Sequence, residues 1–388
     1  MSSLIIDWEK KEFKECIIEN RKSSLKVSDA SNFGDYNFYT SGDSILKHDS
    51  SLIDGANIYL ATGGIANIKF KDGAAAYSTD TYSLKSKDEV ETKYLYFYLL
   101  NNLQYINDNF FQGSGLKHLQ KKDLKKFSLH IPKDKNEQRK IAEILTKVDE
   151  AIENTEALIQ KHERIKVGLM QDLLTKGIDE KGNIRSEETH QFKDSPLGRI
   201  PMDWKVEELN NNIQLFNSYR KPISSSIRNN MKGNFPYYGA TGIIDYINEF
   251  KLDGEFVLIG EDGDHYLKWE KQDQTILIEG KFNVSNHAHI LKGINNVSSK
   301  WIHLFFSRRD ITYYLTRQGA GRFKLNKAAL LKLPLIIPKP EEQVKILNSI
   351  GKIDKIITQQ VYLKLKLQNQ KQGLMEDLLS GKIRVNYE

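Results

Sequence analysis

KNEQRKIAEILTKVDEAIENTEALIQKHERIKVGLMQDLLTKGI, residues 135–178, returns as PEEQVKILNSIGKIDKIITQQVYLKLKLQNQKQGLMEDLLSGKI, residues 340–383. The two stretches stand at a fixed offset of 205 and are identical at 17 of 44 positions. Glu137-Gln138 recurs as Glu342-Gln343, Asp149 as Asp354, and Gly168-Leu169-Met170 as Gly373-Leu374-Met375. A repeat of this length sets the architecture before any local pattern does. It also bears on function, because a chain built twice suits a target presented twice.

Each copy reads as one long helix. In the first, Ile141, Leu145, Val148, Ile152, Thr155, Ile159, His162, Lys166, Leu169 and Leu173 follow each other at steps of four and three. Ile346, Ile350, Ile353, Ile357, Gln360, Lys364, Leu367, Lys371, Leu374 and Leu378 do the same in the second. That rhythm is a coiled-coil seam. Both copies start just after a proline, carry acids in the first turn as the helix dipole favours, and contain no internal proline. Residues 138–174 would span roughly 55 Å at ~1.5 Å per residue. The polar seam positions His162 and Lys166 read as register-setting or solvent-edge residues.

Each helix follows a mixed region about one domain long. Asp7-Trp8 opens the first region and Asp203-Trp204 the second. The regions share short β-type runs and glycine turns, then an aromatic helical stretch (Tyr94–Leu99, Trp301–Phe306). Each ends in a glycine pair, Gly113-Ser114-Gly115 and Gly319-Ala320-Gly321. The plan is a first domain over 1–134, a long helix over 135–178, a polar linker over 179–200, a second domain over 201–339, and a long helix over 340–388. Connectivity predicts two antiparallel helices with a domain at each end, related by an approximate two-fold axis. The helices stay alike while the domains diverge, so the helices do one constant job and the domains do two different ones.

Composition excludes several classes. The hydrophobic share is 39% and mean hydropathy is -0.53. The apolar runs, such as Leu333–Ile337, fall far short of the ~20 residues of a membrane span. The N-terminus lacks the basic start and apolar core of a signal peptide. One cysteine, Cys16, excludes an intrachain disulfide and a multi-cysteine zinc site, and reads as a half-buried structural residue. These features predict a cytoplasmic protein.

Catalytic constellations do not assemble on the sequence. Phe111-Gln-Gly-Ser-Gly has the F-x-G-x-G form of a methyltransferase motif, but none of the eight prolines adjoins another, so the partner N-P-P-Y is missing. No G-x-x-x-x-G-K-[ST] occurs, which removes a P-loop motor. Asp264 with Glu279-Gly280-Lys281 gives a loose metal-nuclease pattern and is kept as the alternative reading. His287-Ala-His289 lacks a supporting ligand. Strand alternation instead predicts one histidine facing a groove and the other satisfied inside.

What remains is basic. Net charge is only +6, but the charge is placed in a pattern. After the first glycine pair come Lys117, Lys121, Lys122, Lys125 and Lys126. Around the second lie Arg308, Arg309, Arg317, Arg322, Lys324, Lys327 and Lys332. A charge run is usually a solvated face. Two runs at equivalent positions, beside glycines that let backbone approach a phosphate, point to DNA. A coiled-coil adaptor that binds only protein is the third reading.

Two variable domains, each followed by a similar long helix, resemble the DNA specificity (S) subunit of type I restriction–modification systems. The resemblance rests on Leu124–Ile141 and its copy near Leu331–Ile346, on Gly-Leu-Met-x-Asp-Leu-Leu twice, and on Phe192–Trp204. Tyr237–Tyr246, Leu258–Gly263 and Asn286–His289 add to it. It implies an α+β fold, two α/β target recognition domains joined by a pseudo-two-fold coiled coil of two long antiparallel helices. It also implies double-stranded DNA as target, two methyltransferase (M) subunits docked on the helices, and motor-nuclease (R) subunits. S-adenosylmethionine, ATP and Mg would be used by those partners, with no cofactor and no catalysis in this chain. The DNA-contacting residues expected are Tyr39, Thr62, Gly63, Gly113, Ser114, Lys117 and Lys121 in the first domain. In the second they are Tyr238, Thr241, Glu261, Asp262, His287, Arg317, Arg322 and Lys324. Ala61-Thr-Gly-Gly stands in the first domain where the second has Gly260-Glu-Asp-Gly.

Overall fold

The computed structural model describes residues 7–318 and 322–386, Gln318 and Arg322 by backbone only. The glycine pair at 319–321 lies outside the described residues. The chain divides into two compact units, residues 1–159 with 359–388, and residues 160–358. Each holds one α/β domain and segments of both long helices.

The helices run over Lys135–Thr175 and Pro340–Leu378. The repeat's seam is what they bury. Ile141, Leu145, Thr155, Ile159 and Leu378 are buried in the first unit, and Leu173, Ile346 and Ile350 in the second. The charged seam positions pair across the helices. In the first unit Lys371 Nζ lies 2.6 Å from Asp149 Oδ1, and Lys364 pairs with Glu156. In the second, Lys166 Nζ lies 2.6 Å from Asp354 Oδ1. The residue numbers of each pair total 520 in both units, so the segments are antiparallel in one register. Lys166 is a register residue, as its seam position predicts.

In the first unit the domain has an antiparallel sheet ordered Ile17–Glu19, Thr81–Ser86, Asn57–Ala61, Ile68–Lys71. A second sheet is ordered Leu46–His48, Tyr36–Tyr39, Ala75–Tyr77, with the last pair parallel. Thr92–Asn101 forms the aromatic helix and buries Tyr94, Leu95, Phe97 and Leu99 in the core with Ile141 and Leu145. In the second unit these two sheets are one, six strands ordered Ile213–Leu215, Ala288–Gly293, Leu252–Gly260, Thr275–Val284, Lys232–Tyr238, Ile243–Ile247. The reason is local. Thr275–Val284 is one ten-residue strand, whereas its counterpart breaks into Ile68–Lys71 and Ala75–Tyr77 around Gly73, whose φ is +111°.

Domain and helix are joined identically in the two units. Gln138 Nε2 donates to Pro132 O at 2.8 Å, and its Oε1 accepts from Glu91 N at 2.7 Å. Gln343 Nε2 donates to Pro338 O at 3.1 Å and Asn296 O at 2.9 Å, and its Oε1 accepts from Ser298 N at 3.2 Å. The preceding glutamates are buried and each meets an arginine. Glu137, 1% exposed, takes Arg384 Nε and Nη2 at 2.5 and 2.7 Å. Glu342 takes Arg185 Nη2 at 3.0 Å, Trp204 Nε1 at 2.9 Å and Ile178 N at 2.8 Å. Those first-turn acids therefore do more than meet the dipole. Arg185 also corrects the reading of 179–200 as a plain linker. Ile178 bridges Ile184 there, and Phe192–Lys193 pairs with Ile200–Pro201. Cys16 is fully buried, not half-buried, and burial pushes its thiol up to about 11.

Candidate nucleic-acid interface

One construction occurs in both units. A strand ends in a glycine-containing turn, and a β-hairpin is strapped to that turn by backbone bonds. In the first unit Leu119 N donates to Thr62 O at 3.0 Å and Gly64 N to Lys117 O at 2.8 Å. In the second, Leu325 N donates to Glu261 O at 2.8 Å and Gly263 N to Phe323 O at 3.1 Å. Gly63 bridges His118 as Asp262 bridges Lys324. This pairing makes Thr62 the counterpart of Glu261 and Gly63 that of Asp262. The hairpins are Phe111–Gln112 with His118–Leu119, and Thr316–Gln318 with Arg322–Lys324. In the first, Gly113 has a φ of +148°, and a Cβ there would meet Leu116 O at 2.6 Å, so glycine is required.

In the second unit, Glu261 accepts from Arg220 Nη1 at 2.5 Å and lies 3.4 Å from Lys324 Nζ. Desolvation opposes its ionisation, but the Arg220 hydrogen bond and charge and the Lys324 ammonium prevail and hold its carboxyl below the usual range. Glu261 thereby ties its loop to Arg220 and, through Lys324, to the hairpin. Asp262 is different. Only its Oδ2 has a partner among the described residues, His287 Nδ1 at 3.1 Å. The loop Gly239–Gly242 and the exposed Ile243 and Ile244 flank this pair in one open groove. His289 is inside, as strand alternation predicts. Its Nδ1 accepts from Asn217 Nδ2 and its Nε2 donates to Leu325 O, both at 2.8 Å, and burial pushes its pKa down. The groove offers carboxylate, imidazole, hydroxyl and methyl groups, the kinds that read base edges.

The first unit has no carboxylate at the equivalent turn. Thr62 Oγ1 donates to Asp80 O at 2.5 Å, and Thr62 N donates to Ser41 Oγ at 2.9 Å. Lys117 and Ser114 are exposed on the hairpin. Lys121 sits with Nζ 4.4 Å from the Tyr82 ring centroid, and burial lowers its pKa.

Some expected residues lie elsewhere. Tyr39 is 1% exposed and stacked on Tyr59 at 4.1 Å, a core side chain because its strand position points inward. Tyr238 is half-buried, packed edge-on to Phe282. Thr241 and Arg317 are exposed, and the Arg322 side chain lies outside the described residues. The cationic run is not one surface. Arg308 pairs with Asp273, and Arg309 stacks on Phe305 in a groove with Met170 and Leu174 of the first long helix. Lys117, Lys122, Arg317, Lys327 and Lys332 are exposed and have no carboxylate within 4.0 Å among the described residues. Sequence reasoning missed Arg220, whose only signal is the basic pair Arg220-Lys221 at the end of Asn217-Ser-Tyr-Arg-Lys.

The nuclease pattern does not converge. Glu279 pairs with Glu255, five strand residues before Gly260, whereas Asp264 follows the turn at the other end, ~17 Å away at ~3.3 Å per residue. Among the described residues no group of three His, Cys, Asp or Glu is placed to hold a metal ion. No described helix is long and apolar enough to cross a membrane.

Two domains on paired long helices, each with a turn-and-hairpin surface, define a paired recognition scaffold. The type I restriction modification DNA specificity domain model matches residues 5–164 and 201–367, and the chain belongs to that family. A Haemophilus influenzae protein named as a type I restriction enzyme specificity subunit is 34% identical over 163 residues, 41% of this chain and 40% of that protein. The type I restriction enzyme MjaVIII specificity subunit of Methanocaldococcus jannaschii is 25% identical over 363 residues, 86% of this chain and 78% of that protein. The crystal structure of the S subunit of the M. genitalium type I restriction–modification system shares the fold, with a TM-score of 0.68, 18% identity and 96% of each chain covered.

Proposed function

We propose that this chain is the non-catalytic, DNA-reading subunit of a type I restriction–modification complex. Residues 1–134 and 201–339 act as target recognition domains for the two halves of a bipartite duplex site. Partner subunits perform adenine N6 methylation and restriction, and they use S-adenosylmethionine, ATP and Mg. The observation that carries the reading is the strapped turn-and-hairpin, present in both units with different side chains: Thr62-Gly63 in one, Glu261-Asp262 in the other. The same frame with different contents suits two readers of different bases.

The helices support docking of two M subunits, with R subunits joining the complex. Leu158, Val361, Tyr362 and Leu365 are exposed in the first unit, and Ile165, Val167 and Ile356 in the second. Apolar side chains left in water on a helix pair favour a protein partner. Such a complex would work in the cytoplasm.

The experiment is expression with and without a methyltransferase (M) subunit, followed by mapping of N6-methyladenine. The chain alone should leave DNA unmodified, and the pair should methylate one bipartite motif. Metal-dependent nicking by the chain alone, lost in Glu279→Ala, would overturn the reading.

A further inference from the structure

Lys69 is an unusual lysine. It lies on Ile68–Lys71, beneath the loop that links Tyr36–Tyr39 to Leu46–His48. Its ammonium donates to Thr40 O at 3.2 Å, to Gly42 O, and to Asn67 Oδ1 at 3.0 Å. All three protons are therefore used, and two of them go to backbone of one loop. The rest of the loop base is bound as closely. Asn67 Nδ2 donates to Ser41 O at 2.5 Å, and Ser41 Oγ donates to Asp80 O at 2.5 Å while accepting from Thr62 N. Through Ser41 the loop is joined to the turn that carries Thr62 and Gly63.

The arrangement is costly and local. Burial lowers the Lys69 pKa, opposed by the nearby charge of Asp43. No carboxylate lies within 4.0 Å of the ammonium among the described residues. The fold itself does not need the cation. Ile68 pairs with Leu60 and Thr275 with Ile259, so the second unit has Ile276 at the position of Lys69. There the corresponding loop, Gly239–Gly242, closes by its own Gly239 N to Gly242 O bond at 2.8 Å. The loop above Lys69 ends in exposed Gly42, Asp43, Ser44 and Ile45, the last 51% exposed. Base-reading groups need to be held within ~0.5 Å, and within itself this loop has the longer Gly42 N to Thr40 Oγ1 bond at 3.2 Å.

We propose that Lys69 is a positioning residue of the first reader, whose ammonium sets loop 40–45 in the conformation that meets one half of the DNA target. The proposal rests on the DNA-specificity reading above. A residue that only stabilised the first domain would lower that domain's unfolding midpoint together with its half-site preference, whereas a positioning residue changes the preference at an unchanged midpoint, so urea unfolding of each variant accompanies the test.

The test uses the full chain in complex with its methyltransferase, on a randomised duplex library, with bound or methylated sites sequenced. In Lys69→Met, which keeps the length and removes the donors, base discrimination should fall roughly tenfold in one half-site only. The other half-site should keep its preference. Lys69→Gln retains amide donors and should give a smaller loss at the same half-site; it serves also if Lys69→Met does not fold. Unchanged discrimination in both half-sites, or an equal loss in both, overturns the proposal. A wild-type complex without any base preference overturns the DNA reading itself, and that outcome is distinct from either.

Discussion

Lys166 Nζ lies 2.6 Å from Asp354 Oδ1, and the same two residue types, each moved by 205 positions, meet again as Lys371 and Asp149 at the same distance. Because each pair exchanges lysine and aspartate between the helices, the repeat specifies an antiparallel partner. A parallel pairing in the same register would set lysine beside lysine and aspartate beside aspartate. Reversing Lys166 to Glu should weaken the helix pair, and adding Asp354→Lys should recover most of the loss. These side chains are 30% and 47% exposed, so the coupling should be only about 0.2–1 kcal/mol. A double-mutant cycle on urea unfolding measures it.

Far larger effects are expected where charge is buried. Glu342 meets Arg185 with side chains 7% and 11% exposed. Arg185→Met leaves the Glu342 carboxylate without its cation, although Trp204 Nε1 and Ile178 N still donate to it, and should destabilise the second unit by about 3 kcal/mol. Arg384→Met should act likewise on the first unit through Glu137. Denaturant midpoints for the two variants, with limited proteolysis to locate the unfolding, check both.

The second unit should also be the acid-sensitive one. Burial is the leading cause of lowered pKa at His265, His289 and His303. The unfolded chain then binds protons more readily than the folded one. Stability is complete above the ordinary histidine value of about 6.5 and falls as pH drops through the lowered folded values. His289→Gln should flatten that decline between pH 6.5 and 5 in a series of unfolding curves.

DNA binding should separate two kinds of lysine. Lys117 is exposed on the hairpin, and Lys117→Ala should reduce the salt slope of log K by roughly 1 without disturbing the fold. Lys121 leans on Tyr82, so Lys121→Ala should also lower the melting temperature. Binding isotherms at three salt concentrations, with thermal melts, distinguish them.

The long helices were legible because their burial follows a period written in the sequence, and Lys166 showed its role by its seam position. The turns at 61–64 and 260–263 were visible as glycine-rich segments. Arg220, which holds the second turn, and Lys69, which holds loop 40–45, were not, since they act through contacts 41 and 29 residues away that no local pattern encodes. Tyr39 failed as a surface residue because a short strand flanked by polar loops does not declare which face is covered. Arg185 was hidden in a polar stretch whose composition is that of a linker.

Gln138 and Gln343 bond the reading domains solely through backbone N–H and C=O groups. Every residue supplies the C=O and every residue but proline the N–H. These glutamine bonds are therefore indifferent to most side-chain changes on the domain side while the local backbone path persists. A coupling of that kind lets the heads change their chemistry freely and leaves the helices nothing to renegotiate.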